Sequence, residues 1–286
     1  MAIKRFLRNT NEDEPISPVI QNLVDQLKER ENKIKNHPVI PVREYEGYQK
    51  IIEIKNLDKE FKVKKNKFKA VNNLSLNFYK GLNTALLGSN GAGKTTTVEM
   101  VVGISKPTAG HINYLFPGIV NNKMDASKIG IQFQDSSYPQ GLTVQDVVDT
   151  MNRIYGSKTT GKELEYLIKV FGIDEFYSNK AASLSGGQHQ RLNALLAIIN
   201  KPELIILDEL STGLDLKIKT RLIHFIKDYA KEINSTVLII SHDIREIELL
   251  VDRIIIMSKG KVVYDKTKQE TIELFGSLEK CLDEYI

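Results

Sequence analysis

Residues 88–95 read Gly88-Ser89-Asn90-Gly91-Ala92-Gly93-Lys94-Thr95: a glycine, four residues, then Gly-Lys-Thr. This spacing is that of a phosphate-binding loop. Its glycines permit positive φ and let backbone N–H groups approach anionic oxygens. A helix predicted over Lys94 to Val102, with Gly103 as its stop, points its N-terminus at the same anion. That terminus carries roughly half a positive charge. In such a loop Lys94 bridges the β- and γ-phosphates of a nucleoside triphosphate, and the Thr95 hydroxyl ligates Mg²⁺. The candidate cradle runs from Gly88 through Ser89, Asn90, Gly91, Ala92 and Gly93 to Lys94, Thr95 and Thr96. A strand over Asn83 to Leu87 precedes it, so the order is strand, glycine turn, helix. That order points to an α/β fold.

Further along, Leu204-Ile205-Ile206-Leu207-Asp208-Glu209 places two carboxylates at the end of a wholly apolar strand. In open α/β sheets that edge is where ligands bind. Asp208 would hold the Mg²⁺ shell, and Glu209 would position or deprotonate an attacking water. A third stretch, Leu184-Ser185-Gly186-Gly187-Gln188, opens a helical run to Ile199. It is a second anion-binding device about 90 residues after the first. One nucleotide has no evident need of both on the same chain.

The chain has 286 residues, 41% hydrophobic and 27% charged, which suits one large or two modest soluble domains. Lys and Arg total 40 against 36 Asp and Glu, a net charge of +4 that argues against a dedicated nucleic-acid binder. Cys281 is the one cysteine, which rules out an intramolecular disulfide framework and fits a reducing compartment. No apolar run approaches the ~20 residues of a spanning helix. The start, Met1 to Arg8, is basic but lacks the apolar stretch of a signal peptide. The expectation is a cytoplasmic protein that meets a membrane only through a partner.

Residues 1–48 are polar and carry Pro15, Pro18, Pro38 and Pro41, and are read as an extension, partly helical or disordered. Within it a helix is predicted over Pro18 to Asn36, with Ser17 as N-cap and Ile20, Leu23, Val24 and Leu27 at helical spacing. It either packs on the domain's own surface or docks another protein. Strands are predicted over Ile51 to Leu57 and Val71 to Phe78, with the basic stretch Lys62 to Lys69 as a hairpin tip. Thr236 to Ile240 and Ile254 to Met257 join Leu204 to Leu207 as buried parallel strands. Residues from about 135 to 182 read as helical, and Leu274 to Ile286 as a terminal amphipathic helix.

With these motifs in this order, the sequence resembles the ATP-binding subunit of ATP-binding cassette (ABC) proteins, over about Ile51 to Val263. The resemblance implies a P-loop NTPase core of ABC type, with an antiparallel β subdomain and a helical subdomain. The ATPase domain would cover residues 49–265 and a helical tail 266–286. It also implies that Ser185, Gly186, Gly187 and Gln188 of one subunit close on the ATP held by another. By the same resemblance, Gln134 touches Mg²⁺ and water, Asp215 communicates across the dimer, His242 senses the γ-phosphate, and Phe61 stacks on adenine. Leu210 stands where the family usually has proline, which removes a rigid turn but no chemical group. The expected function is ATP hydrolysis, with ATP and Mg²⁺, in a dimer with a second such subunit. That dimer would drive a separate membrane permease from the cytoplasmic face, by analogy an exporter. The alternative is a soluble ABC ATPase of iron–sulfur assembly, translation or chromosome maintenance.

Overall fold

The computed structural model describes residues 17–63, 66–133 and 137–286. The chain divides into two compact units between His37 and Pro38. In the first, helix α1 spans Pro18–Lys35. Pro18 opens it, its fixed φ suiting a first turn that needs no N–H donor. Ser17 occupies the N-cap position, but its hydroxyl makes no capping bond; its carbonyl accepts from Gln21 N–H at 3.0 Å. Val19, Ile20, Leu23 and Leu27 are exposed. The polar extension read to residue 48 is therefore not one body, since residues 38–48 belong to the second unit.

That unit begins with a three-stranded antiparallel sheet. Strand β1 (Lys50–Val63) pairs with β2 (Asn66–Tyr79) on one side. The strands run further than their apolar alternation predicted: Glu60 faces Lys69, Phe61 faces Phe68 and Lys62 faces Lys67. Most of the basic stretch is thus paired strand at the end of this hairpin, and residues 64 and 65 lie outside the described residues. Opposite charges carry it, with Lys69 2.9 Å from Asp58 and Lys67 3.6 Å from Glu60.

Strand β3 (Thr84–Leu87) leads through the glycine turn into helix α2 (Lys94–Val101). Strand β4 (Ala109–Tyr114) returns to pair with β1, and β5 (Ile129–Gln132) joins a second, six-stranded sheet. Helices α3 (Val144–Ile154) and α4 (Gly161–Val170) fill the segment read as helical, each opened by a Thr capping box. Helix α5 (Gly186–Ile198) then leads to β6 (Leu204–Asp208), α6 (Leu216–Glu232), β7 (Thr236–Ile240) and α7 (Ile244–Leu250). Strand β8 (Arg253–Ser258) turns back into β9 (Lys261–Thr267).

The sheet order is β5-β6-β7-β3-β8-β9, parallel apart from β9. Alternate strand residues feed two cores. Leu87, Ile205, Leu207 and Ile239 face one, with the apolar sides of α5, α6 and α7. Leu86, Leu204, Ile206 and Leu238 face the other, with α2 and the antiparallel sheet. Burial on both faces explains the unbroken apolar runs.

The tail departs from its reading as one helix. It is two, α8 (Lys268–Phe275) and α9 (Leu278–Tyr285), because Gly276 at φ +80° ends the first in a left-handed turn. Residues 40–45 lie against this end. Ile40 N–H donates to the Val262 carbonyl at 3.2 Å, and Arg43 forks onto Glu270 at 2.8 Å through both nitrogens. Tyr45 donates at 2.8 Å to Asp265, which also holds the fully buried Arg253 at 2.7 and 2.5 Å.

Candidate functional site

Parallel order places the ends of β6, β7 and β3 side by side, so residues far apart in sequence share one edge. At the end of β3 the chain turns on Gly88, φ +144°, where a Cβ would overlap the Met257 carbonyl oxygen. Gly93, φ +100°, forms the left-handed N-cap of α2, and a Cβ there would overlap the Ala70 carbonyl oxygen. Both positions need glycine for space as well as for torsion. Between them Ser89, Asn90 and Gly91 are exposed and Ala92 is buried. Lys94 is 8% exposed, and its ammonium folds back to donate to the carbonyls of Gly88 at 2.6 Å and Ser89 at 3.2 Å. Burial pulls its pKa below the usual lysine range, against the pull of Asp208 and Glu209. Thr95 is exposed and Thr96 half-buried.

Asp208, the last residue of β6, is buried. Burial first, and then the charge of Glu209, push its carboxyl up to about 6 despite Lys94. Glu209 follows at φ +54°, a left-handed torsion rare for a residue with a side chain. Its N–H donates to the Ile240 carbonyl at 2.8 Å, and its carboxylate accepts from the Thr212 hydroxyl at 3.2 Å. Leu210, in place of the usual proline, is buried in the core beside the sheet. A hollow of about 300 Å³ is lined by Glu209, Ser211, Thr212, Ser241, His242 and Glu246, among others. His242 is exposed at its rim.

The other turn opens α5. Ser185 caps α5: its hydroxyl accepts from Gln188 N–H at 3.4 Å, and the Gln188 side chain accepts from Ser185 N–H at 2.9 Å. Gly187 abuts Gly213 and Leu214, so a Cβ there would press the Gly213 carbonyl. Asp215 caps α6, accepting at 3.0 Å from both Lys217 and Ile218 N–H. Phe61 is 39% exposed near the hairpin end, with the Lys59 ammonium 5.1 Å from its ring centroid. Gln134 lies outside the described residues. Gln132, two residues earlier, is buried and donates to Gln190 on α5 at 2.5 Å.

Ser211 and Glu246 are among the groups at the hollow that were not read from the sequence as site residues. The Ser211 hydroxyl donates to the Glu246 carboxylate, and both are buried. Their signal was weak: a glutamate four residues after His242, between Ile244 and Ile247, at a position where helices commonly carry an exposed acid.

The residues suit a triphosphate with Mg²⁺. Two glycines leave a cradle that a Cβ would fill. Among the described residues no group of three His, Cys, Asp or Glu side chains is placed to hold a metal alone. A cation beside Asp208 and Thr95 would draw its remaining ligands from phosphate and water, as Mg²⁺ does.

Comparison with known proteins agrees. The ABC transporter family model matches residues 71–212. The oligopeptide transport ATP-binding protein OppF of Bacillus subtilis is 31% identical over 75% of this chain and 75% of its own length. The bacitracin transport ATP-binding protein BcrA of Bacillus licheniformis is 34% identical over 68% of this chain and 64% of its own. The spermidine/putrescine import ATP-binding protein PotA of Spiroplasma citri is 30% identical over 74% of this chain, which spans 60% of PotA's length. The dimeric structure of a bacterial ABC transporter cassette aligns with a TM-score of 0.66 at 27% identity, covering 76% of this chain and 98% of that one. Among the described residues no helix is long and apolar enough to cross a membrane. A phosphate loop, a serine-capped glycine turn and an acidic strand end, set in this order on this fold, place the chain in the ABC transporter family, among its ATP-binding subunits.

Proposed function

We propose that the chain hydrolyses ATP within a dimer of cassettes and so drives a membrane permease made of other subunits. The observation that carries this is the pairing of the Gly88–Thr96 cradle with Asp208 and Glu209 on one sheet edge. The solved cassette bound to ADP and Pi in a post-hydrolysis state, 27% identical over 76% of this chain, supports it. On this reading the phosphates lie over the first turn of α2, whose N–H groups and dipole favour anions. Lys94 then leaves its two carbonyls for the phosphate oxygens. Mg²⁺, when bound, would be held by Thr95 and Asp208 and would neutralise phosphate charge. Glu209 takes the proton of the attacking water as its oxygen bonds the γ-phosphorus and the bond to ADP breaks. His242 holds the γ-phosphate from the neighbouring strand end.

The turn Ser185–Gln188 supplies the second anion site, and a second cassette brings it to the nucleotide. Its capping box keeps the serine hydroxyl and the α5 N-terminus in place. ATP binds the closed pair better than the open one, and loss of the γ-phosphate releases it. Gln134, Asp215 and Phe61 keep the roles their resemblance implies. The reading as an exporter stays an analogy, beside a similar relative that is named for spermidine/putrescine import.

The test is Glu209→Gln. Turnover should fall by at least ~10²-fold with ATP binding kept, and the variant should dimerise with ATP. Purified with ATP from detergent-solubilised cells, it should bring a multi-span membrane protein along. Unchanged turnover would overturn the role of Glu209. Recovery of soluble assembly factors or ribosomes alone would favour a soluble ABC ATPase.

A further inference from the structure

The hollow at the ends of β6 and β7 holds a carboxyl group that the mechanism above does not use. Glu246 is 1% exposed and lies in the first turn of α7. Its Oε1 accepts a hydrogen bond from the Ser211 hydroxyl, three residues beyond Asp208. Its Oε2 is buried with no hydrogen-bond partner among the described residues. Ser241 lies alongside it, and the charges of Asp243 and Lys219 face it with opposite effect. Lys219 on α6 is itself paired with Asp243.

Position makes this unusual. Glu246 is the third residue of α7, where an acid commonly reaches back to the N-cap N–H. Asp146, Glu163 and Glu270 do so in α3, α4 and α8. Here the N-cap N–H, that of Asp243, is taken instead by the Ser241 hydroxyl at 3.0 Å. Asp243 still caps the Glu246 N–H, at 3.2 Å. The glutamate is thus diverted from capping, and its side chain spans to a residue 35 positions earlier in the chain. Leaving one buried oxygen unpaired is destabilising, so helix stability alone does not account for the choice.

The bridge has a definite reach. On one side Ser211 belongs to the loop after Glu209, where its carbonyl accepts from Leu214 N–H at 3.1 Å. On the other, α7 begins two residues after His242. Glu209 N–H bonded to Ile240 ties the same two strand ends at the backbone. We propose that Glu246 is a positioning residue for hydrolysis: through Ser211 it fixes the loop carrying Glu209 against the turn carrying His242. This rests on the ATPase reading above.

The experiment uses the purified full-length chain and measures kcat, KM for ATP, ATP binding and thermal melting. Glu246→Ala should lower kcat roughly 10- to 100-fold, the scale of a small misplacement of reacting groups. KM should move less than about threefold. Glu246→Gln keeps an acceptor for Ser211 and should return kcat to within about threefold of wild type. Ser211→Ala should resemble Glu246→Ala, and the double variant should be no slower than the worse single one. If Glu246→Ala does not fold, Ser211→Ala gives the same readout with the carboxyl in place. A folded Glu246→Ala or Ser211→Ala chain with wild-type kcat overturns the proposal, as does an additive double variant or a glutamine that fails to rescue. A wild-type chain that binds ATP without turnover would instead overturn the ATPase reading on which the proposal rests.

Discussion

Asp208→Asn should make the nucleotide-free chain more stable at neutral pH. The Asp208 carboxyl sits at about 6 in the fold, against an ordinary 3.8, because it is buried and next to Glu209. That is about two pKa units, and one unit corresponds to about 1.4 kcal/mol, so ionising Asp208 costs the fold about 3 kcal/mol. The sign follows from proton linkage: the folded chain binds this proton more tightly than the unfolded one. Stability from this group is greatest below pH 3.8, falls as pH rises towards 6, and is fully lost above that. Asparagine mimics the protonated form throughout. The variant should therefore gain up to about 3 kcal/mol at pH 8. For a chain of this size that is a Tm rise of roughly 5–10 °C. The gain should shrink to nothing near pH 4. Denaturant titrations of both proteins in EDTA from pH 4 to 8 measure it. A variant less stable at pH 8, or a difference flat with pH, would refute the reasoning.

Asp265→Ala should destabilise the chain by about 3–5 kcal/mol in urea titration, because it strands the buried Arg253 guanidinium. Tyr45→Phe, which removes one bond to the same carboxylate, should cost about 1 kcal/mol. Gly93→Ala should weaken ATP binding by about 5- to 150-fold, the equivalent of the ~1–3 kcal/mol of a strained left-handed torsion, read by nucleotide titration. Asp215→Ala should lose about 1 kcal/mol of stability with the α6 cap, and Asp215→Asn should restore it. If the aspartate also works across the dimer, the asparagine variant melts normally but turns over ATP more slowly.

Much of the candidate site was legible because a phosphate-binding turn demands particular residues at fixed spacing. Gly88 and Gly93 are required by backbone that leaves no room for a Cβ, and that requirement is written in the sequence as glycine. The buried strands were legible too, since β3, β6 and β7 are apolar on both faces. What stayed hidden depends on partners elsewhere. β1 and β2 extend through a lysine-rich stretch because Asp58 and Glu60 lie across from it. The edge strand β9 mixes Asp265 and Lys266 with apolar residues, and it is strand because β8 pairs with it. Glu246 looks like a solvated helix acid until Ser211, 35 residues earlier, is placed beside it.

The same edge that collects these groups also collects unfavourable terms. Glu209 holds a left-handed torsion, Asp208 ionises in a buried place, and Glu246 leaves an oxygen unpaired. Residues chosen for stability would be glycine, asparagine and leucine, and each would remove a group to which the proposed mechanism or its positioning assigns a role. The opposing term is ligand. A nucleotide that binds only the fold stabilises it by about 2.7 kcal/mol at a hundred times its Kd, close to the ionisation cost of Asp208. Mg²⁺, if held beside Asp208 as proposed, would favour the ionised form and so remove that cost in the loaded state. On the proposed function, the empty site is then the less stable one. A stabilised Asp208→Asn chain would keep its advantage only while the site stays empty. Its stability gained from Mg²⁺-ATP should be smaller than that of the wild type by about the amount it gained without ligand.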